Sequence, residues 1–499
     1  MADTKREIER KYESDESGLP DLTGVGGVAA VLDKGLAELD AVYYDTADER
    51  LAADGLTLRR RTGGSDAGWH LKFPVAPGVR DEIRAPLSDT VPDSLAGLVR
   101  SRVRGAELVP LVRLRSQRDV RHLVDADGTL LAEASTDAVR ADRLTGDGGS
   151  AQWTEIEVEL ADGGDPRFLD RVEKRLRKAG VRPSASPSKL ARALAETAPD
   201  RRPAHEETAP VTAGDHVLAY LRAQRDAVVA LDPAVRRDVP DSVHRMRVAT
   251  RRMRSAFRSY GKVLDRTVTD PLGAELKWLA GELGLDRDQE VLTERLTADL
   301  DALPADLVSG PVRDRLTAWS RERRGGSRRR LLAVLDGPRH LALLDALDAV
   351  LADPPLRPAA AGKPSRAIAK AVHKDFATLA RLLDHALELP PGDGRDLALH
   401  EARKKAKRAR YAAEAAVPAL GDSAAALVGS AKTLQGLLGD HQDSVMARLA
   451  LRELAAWAET AGESAFTYGL LYGREERRAA DVEAELPGAR RTLGAGTPG

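Results

Sequence analysis

Glu7-Ile8-Glu9-Arg10-Lys11 sets three charged side chains at every second position. In an extended strand successive side chains point to opposite faces, so Glu7, Glu9 and Lys11 share one side and Ile8 takes the other. Two carboxylates and an ammonium on one face are costly to bury unless a ligand or metal lies between them. The device returns in Glu155-Ile156-Glu157-Val158-Glu159-Leu160, with three carboxylates on one face and aliphatics on the other. Between these runs, Arg59 and Arg61, Lys72, Glu82 and Arg84, Arg118, and Glu133 with Asp137 stand at strand-compatible parity. A closed barrel would turn these faces inward, into a tunnel with a carboxylate cluster and a cationic cluster. Oxygen-only ligation selects hard cations, so Mg²⁺ or Mn²⁺ is expected, with Arg and Lys clamping phosphate oxygens beside it.

Working outward, the chain to about Leu194 alternates with the period-two pattern of strands. Strands are predicted at Glu7 to Tyr12, Ala41 to Tyr44, Leu56 to Arg61, Trp69 to Phe73, Asp81 to Ala85, Leu111 to Val124, Leu130 to Ala141 and Thr154 to Leu160. Helical interruptions are predicted near Val25 to Leu39 and at Arg167 to Ala179. A Pro/Thr/Ala-rich stretch without period follows and marks a linker. Beyond it the pattern is Ala/Leu/Arg/Glu-rich at helical spacing with essentially no strand signal. The expected organisation is an α+β multidomain chain: a barrel over 1–196, a linker over 197–213, an all-α region over 214–486, and a disordered Gly/Pro/Arg-rich tail over 487–499.

The helical half repeats itself. His244, Arg247, Arg251, Arg254 and Arg258 fall at i, i+3, i+7, i+10 and i+14, one stripe of a helix, and His400, Arg403, Lys407 and Arg410 reproduce the spacing. A second shared element follows each stripe, Glu282-Leu283-Gly284-Leu285-Asp286-Arg287-Asp288 and Leu437-Leu438-Gly439-Asp440-His441-Gln442-Asp443. Two repeats, about 214–352 and 366–486, account for this. A solvated helix face normally mixes signs, yet His244 to Arg258 holds six arginines and no acid. A polyanionic counter-charge is the natural reason for such a stripe, and two facing stripes can line one channel.

Composition narrows the partner. Lys and Arg total 77 against 78 Asp and Glu, a net charge of -1, so an anion site has to be local. Cysteine is absent, which excludes thiolate metal sites, cysteine nucleophiles and disulfides and fits a reducing compartment. No apolar run approaches the roughly 20 residues that span a bilayer, and a cytoplasmic location is expected. Aromatic residues are 4% and largely absent from the stripes, which disfavours single-stranded nucleic acid and suits a base-free polymer such as polyphosphate.

With these residues in view, Glu7-Ile8-Glu9-Arg10-Lys11 resembles the ExExK signature of CYTH domains, the triphosphate tunnel metalloenzymes. The resemblance extends through Leu58-Arg59-Arg60-Arg61, Trp69-His70-Leu71-Lys72, Glu155-Ile156-Glu157 and Ser188-Lys189. The His244 and His400 segments resemble CHAD domains. The resemblance implies an eight-stranded antiparallel tunnel for a triphosphate and divalent metal, followed by a bundle-like pair of helical repeats that binds polyphosphate. By position it implies Glu7, Glu9, Asp137, Glu155, Glu157 and Glu159 as the acidic metal set. Lys11, Arg59, Arg61, Lys72, Arg84, Arg118 and Lys189 would form the phosphate cradle, with Glu7, Glu9, Lys11 and Lys72 at the catalytic centre. The choice of Arg118 over Arg113 or Arg115 depends on register, since a one-residue slip reverses facing. The expected activity is hydrolysis of inorganic triphosphate to diphosphate and phosphate, with polyphosphate bound by the helical half, including at polyphosphate granules. Thiamine triphosphate and nucleoside triphosphates remain open as substrates. A non-catalytic polyphosphate-binding or granule-targeting protein is the alternative, and nucleotide cyclisation a third.

Overall fold

The computed structural model describes residues 4–14, 18–146, 148–197, 209–324 and 327–495. They form two compact units, divided within the expected linker, of which 198–208 lie outside the described residues.

The first unit is a closed antiparallel barrel. Its strands are β1 (Thr4–Glu13), β2 (Ala30–Asp45), β3 (Thr57–Thr62), β4 (Gly68–Ala76), β5 (Val79–Ala85), β6 (Val109–Val124), β7 (Leu130–Arg143) and β8 (Ser150–Leu160). They are ordered β1-β5-β4-β3-β2-β6-β7-β8, and β1 closes the barrel by pairing with both β5 and β8. Helices α1 (Arg50–Ala53), α2 (Asp93–Val103), α3 (Arg167–Lys178) and α4 (Lys189–Thr197) lie in the connections and after β8.

One face of the strands carries charged residues such as Glu7, Glu9, Lys11, Arg59 and Lys72 inward, so apolar residues on the other face need cover. Phe168, Leu169, Val172 and Leu176 of α3 cover Tyr12, Ile156 and Val158. Leu190, Ala193 and Leu194 of α4 cover Val139, Ala141 and Trp153. Leu95, Leu98 and Val99 of α2 cover Leu58, Trp69, Leu71 and Ile83. The hydrophobic core of this unit is thus a jacket around a polar lumen.

One predicted helix is a strand. Residues 25–39, where a helix is predicted, are mostly the first half of β2, which pairs with β6 from Ala30↔Val124 onward. Leu32 and Leu36 are 45% and 74% exposed, so they make no helical core face. Gly35, at φ 86°, sits in a bulge between Asp33 and Gly35 that breaks the period-two alternation. Long-range pairing outweighed a local pattern.

The second unit is helical: α5 (Ala213–Arg236), α6 (Ser242–Ser259), α7 (Arg266–Glu282), α8 (Leu285–Asp301), α9 (Val312–Arg324), α10 (Ser327–Asp336), α11 (Pro338–Ala352), α12 (Pro364–Glu388), α13 (Asp393–Leu420), α14 (Asp422–Thr460) and α15 (Phe466–Ala495). A capping box between Thr212 and Asp215 starts α5. The duplication is visible in the packing: α5, α6 and α7 of one repeat and α12, α13 and α14 of the other share one core, which includes Met253 and Phe257 opposite Ala406, Ala409 and Ala413. A second core joins α8 and α9 to α14 and α15 through Trp319, Leu454 and Tyr468. The segment from 487, expected to be disordered, continues α15 to Ala495, with Leu493 buried; 496–499 lie outside the described residues. The apolar spacing Leu486, Ala489, Leu493 holds that last stretch against the shared core.

Tyr260, at the end of α6, is buried and donates its hydroxyl to the carbonyl oxygen of Ala412 in α13 at 2.6 Å. This bond crosses from one repeat to the other. Tyr260→Phe is expected to lower the stability of the helical unit by about 1 kcal/mol. Urea unfolding of the full chain followed by helical circular dichroism checks it, and an unchanged midpoint would show that the bond contributes nothing net.

Candidate functional site

The lumen of the barrel is a cavity of about 700 Å³. Its acidic side comes from β1 and β8: Glu7, Glu9, Glu157 and Glu159 line it. The register explains the clustering, because Glu9 pairs with Glu159 and Lys11 with Glu157 across β1 and β8, while Glu159 also pairs with Glu133 of β7. Its basic side comes from β3, β4 and β5, which contribute Arg59, Arg61, Lys72 and Arg84, with Lys11, Arg118 and Lys189 completing the cationic lining.

Asp137 and Glu155 are placed differently from the other acids. They do not line the cavity but lie beneath it, fully or almost fully buried. Lys189 Nζ bridges Asp137 Oδ2 at 2.9 Å, Glu155 Oε1 at 2.8 Å and Glu157 Oε1 at 2.5 Å. Arg118 grips both oxygens of Asp137, at 2.7 and 2.8 Å, and reaches Glu157 at 2.7 Å. The register ambiguity at this position is thereby resolved: Arg113 and Arg115 are exposed and pair with Asp40 and Asp142.

The electrostatics follow the pairing. Burial opposes ionisation of Glu157, yet Lys11, Lys189 and Arg118 hold its carboxyl well below the usual range. Burial likewise opposes the charge on Lys189, but Asp137, Glu157 and Glu155 push its ammonium up. Glu7 is the exception: burial pushes its carboxyl up, against the pull of Lys72 at 2.5 Å. On the basic side, burial together with Arg59 and Arg118 pulls the Arg61 guanidinium down. Cations there outnumber their local partners, which is the condition an incoming anion relieves.

Four groups in or beside the lumen, Tyr43, His70, Glu82 and Asp66, were not among the predicted site residues. Tyr43 lines the cavity and accepts a bond from Arg59 Nη1 at 3.3 Å. His70 meets Glu82 Oε1 through Nδ1 at 2.8 Å and the carbonyl oxygen of Asp66 through Nε2 at 2.9 Å. Glu82 in turn holds Arg84 Nε at 2.5 Å and lies 3.5 Å from Lys72. Asp66, from the β3–β4 turn, pairs with Arg61. Parity along β4 and β5 was the available signal for His70 and Glu82, whereas nothing local marks a turn aspartate as a lumen residue.

In the helical unit α6 and α13 pack together, which brings Arg251 of the first stripe near Arg403 of the second. His244 and Arg258 are exposed at the two ends of the first stripe, with Arg247, Arg251 and Arg254 half-buried between them. Burial pulls Arg251 down; Arg247 on its own helix and Arg403 on α13 add to the effect, and Tyr411 opposes it. The Nε atoms of Arg251, Arg254 and Arg403 are buried without a hydrogen-bond acceptor. His400 Nδ1 lies 2.5 Å from Gln442 Oε1, and Lys407 and Arg403 both act on Asp443. Arg410 stands apart, held by Glu414 at 2.8 Å and Gln435 at 3.2 Å, while Arg252 of α6 takes the other oxygen of Glu414. The glycine shared by the repeats lies under the first arginine of each stripe: a Cβ on Gly284 would meet Arg247 Cζ at 2.8 Å, and one on Gly439 would come 3.9 Å from Arg403 Nη2. The side chains of Asp286, Arg287 and Asp288 lie outside the described residues.

The comparisons with known proteins agree with this division. The CYTH domain family matches residues 5–194 and the CHAD domain family matches 219–452. Two proteins of Mycobacterium tuberculosis are each 40% identical over 508 residues, covering 98% of this chain and 96% of their own length. The chain belongs to the CYTH–CHAD two-domain proteins. Solved structures align with one half at a time. The CHAD domain from the plant Ricinus communis aligns at 25% identity and TM-score 0.44, covering 58% of this chain and 95% of that one. A protein from Pyrococcus horikoshii aligns at 18% identity and TM-score 0.25, covering 38% and 98%. Among the described residues of this CYTH–CHAD protein, no helix is long and apolar enough to cross a membrane.

Acidic groups that could hold a metal are present in the CYTH unit, where Asp137 and Glu155 beneath the lumen and Glu157 lining it offer oxygens within 4.8 Å of one another. Because Arg118 neutralises this buried group, Arg118→Met is expected to cost the CYTH unit about 3 kcal/mol or more. Chemical unfolding followed by tryptophan fluorescence measures this, and a cost below about 1 kcal/mol would mean that Asp137 is neutralised without Arg118.

Proposed function

We propose that this CYTH–CHAD protein hydrolyses inorganic triphosphate to diphosphate and phosphate in the barrel lumen, and that its helical unit binds polyphosphate along the paired basic stripes. The observation that carries the reading is the two-sided lumen, in which four carboxylates from β1 and β8 face cations from β3, β4 and β5 across one cavity. Neither side alone would serve: the acids need a hard cation and the bases need an anion.

Glu7, Glu9, Glu157 and Glu159, with Asp137 and Glu155 beneath, are the residues to hold Mg²⁺ or Mn²⁺. The oxygen-only donor set and the pairwise proximity of Asp137, Glu155 and Glu157 fit such an ion. Bound there, it would neutralise phosphate oxygens and polarise a nucleophilic water. Arg59, Arg61, Arg84, Arg118 and Lys189 orient the phosphate chain, and Lys11 and Lys72, each already beside a carboxylate, bring positive charge to where negative charge develops. The jacket of apolar residues and the closed strand order give the lumen low-dielectric walls, which strengthen each of these interactions.

Inorganic triphosphate is favoured over a nucleoside triphosphate because Tyr43 is the only Phe, Tyr or Trp among the described lining residues, and Arg59 already engages its hydroxyl. A base would find little to stack on. Replacing Glu7 and Glu9 together by Gln is expected to lower Mg²⁺-dependent phosphate release from tripolyphosphate by about 100-fold or more. The assay includes thiamine triphosphate and ATP. Faster turnover of either, or cyclic nucleotide from ATP, would replace the inorganic substrate. Release from none of them by wild type would leave a binding protein.

For the helical unit, Arg251→Glu with Arg254→Glu is expected to weaken binding of long-chain polyphosphate at least about 10-fold and to flatten its salt dependence. Phosphate release from tripolyphosphate should be unchanged. Titration at several salt concentrations reads both, and equal affinity in the variant would move polyphosphate binding off the stripes.

A further inference from the structure

Lys189 occupies the position on Asp137, Glu155 and Glu157 that a divalent ion would take. Its ammonium lies within 2.5–2.9 Å of one oxygen from each, and those three groups can present oxygens within 4.8 Å of one another. The ammonium thus acts here as an internal cation shared by three carboxylates. Two further features argue against a permanently saturated structural pair. Glu155 Oε1 is buried and accepts no directed hydrogen bond, although its partner oxygen takes the indole N–H of Trp153 at 2.6 Å. Lys189 is the first residue of α4 and lines the cavity itself, whereas Asp137 and Glu155 lie behind it. A modest swing of its side chain exchanges carboxylate for lumen.

Charge decides which state holds. Lys11, Arg118 and Lys189 already bring three positive charges to these carboxylates, with Glu9 sharing Lys11 at 3.1 Å. A divalent ion added to that set meets the ammonium at short range, and in a buried site such repulsion is strong. A phosphate in the lumen offers Lys189 another anionic partner and frees the carboxylates. We propose that Lys189 is a movable counter-ion: it and the divalent cation are alternatives on Asp137, Glu155 and Glu157, and phosphate in the tunnel selects the metal. Metal and phosphate then tighten each other's binding by the same factor, since coupling between two sites is reciprocal. The proposal rests on reading the lumen as a metal and phosphate site, but it concerns binding order and not hydrolysis.

The test uses the full chain with Mn²⁺ and no phosphate, and bound ion is read by electron paramagnetic resonance. Lys189→Met should bind Mn²⁺ about 10-fold more tightly than wild type, while Lys189→Arg, which keeps the charge, should bind no more tightly than wild type. Should Lys189→Met fail to fold, wild type alone decides: 5 mM orthophosphate should tighten its Mn²⁺ affinity about fivefold or more. Equal or weaker binding by Lys189→Met, or no tightening with orthophosphate, overturns the movable counter-ion and leaves the hydrolase reading standing. If neither wild type nor variant binds Mn²⁺ with or without orthophosphate, both readings fall together.

Discussion

Closing β1 between β5 and β8 forces the charged alternates of eight strands into one enclosed space. An open sheet with the same sequence could leave those side chains in water, where each is individually harmless. Once the barrel closes, each carboxylate must find a cation. The pairs Lys72 with Glu7, Lys5 with Glu159, and Lys189 with Asp137, Glu155 and Glu157 are the result. Replacing such pairs by apolar residues of similar volume would often be neutral or stabilising, so stability alone is a poor reason for this lumen. The apolar jacket of α2, α3 and α4 supplies the burial that the interior gives up.

Much of this was legible because strand parity is a local property. Glu7, Glu9 and Lys11 point one way in any strand, and all eight strands were located, with ends extended by pairing that no single strand reveals. The failures share a physical origin. The helix predicted over residues 30–39 is a strand, and only the partner strand β6 fixes these residues as extended. That Asp137 and Glu155 lie beneath the cavity, while Glu157 lines it, depends on where α4 carries Lys189, a contact between distant segments. Asp66 enters the lumen from a turn, where parity has no meaning.

The helical unit solves the opposite problem, since its like charges are gathered on a surface. The absence of acids in α6 was plain from the sequence, but Glu414 of α13 supplies one across the helix interface and engages Arg252 and Arg410 together. Tyr411 lies beneath the same two guanidiniums, each 5.7 Å from its ring centre. The basic residues of the two helices are therefore of two kinds: Arg252 fastens one repeat to the other through Glu414, which also holds Arg410, while Arg251, Arg254 and Arg403 keep buried donor atoms without acceptors. Spacing alone could not separate them, because both kinds recur at helical intervals.

Gly284, where α7 gives way to α8, has φ -98°, a value any residue can adopt. Its lack of a side chain is thus a matter of room and not of backbone conformation. A single methyl there would meet the guanidinium of Arg247 at 2.8 Å and oblige that side chain to move from where it now rests. The contour that a long anion would follow is set in part by an atom this chain omits.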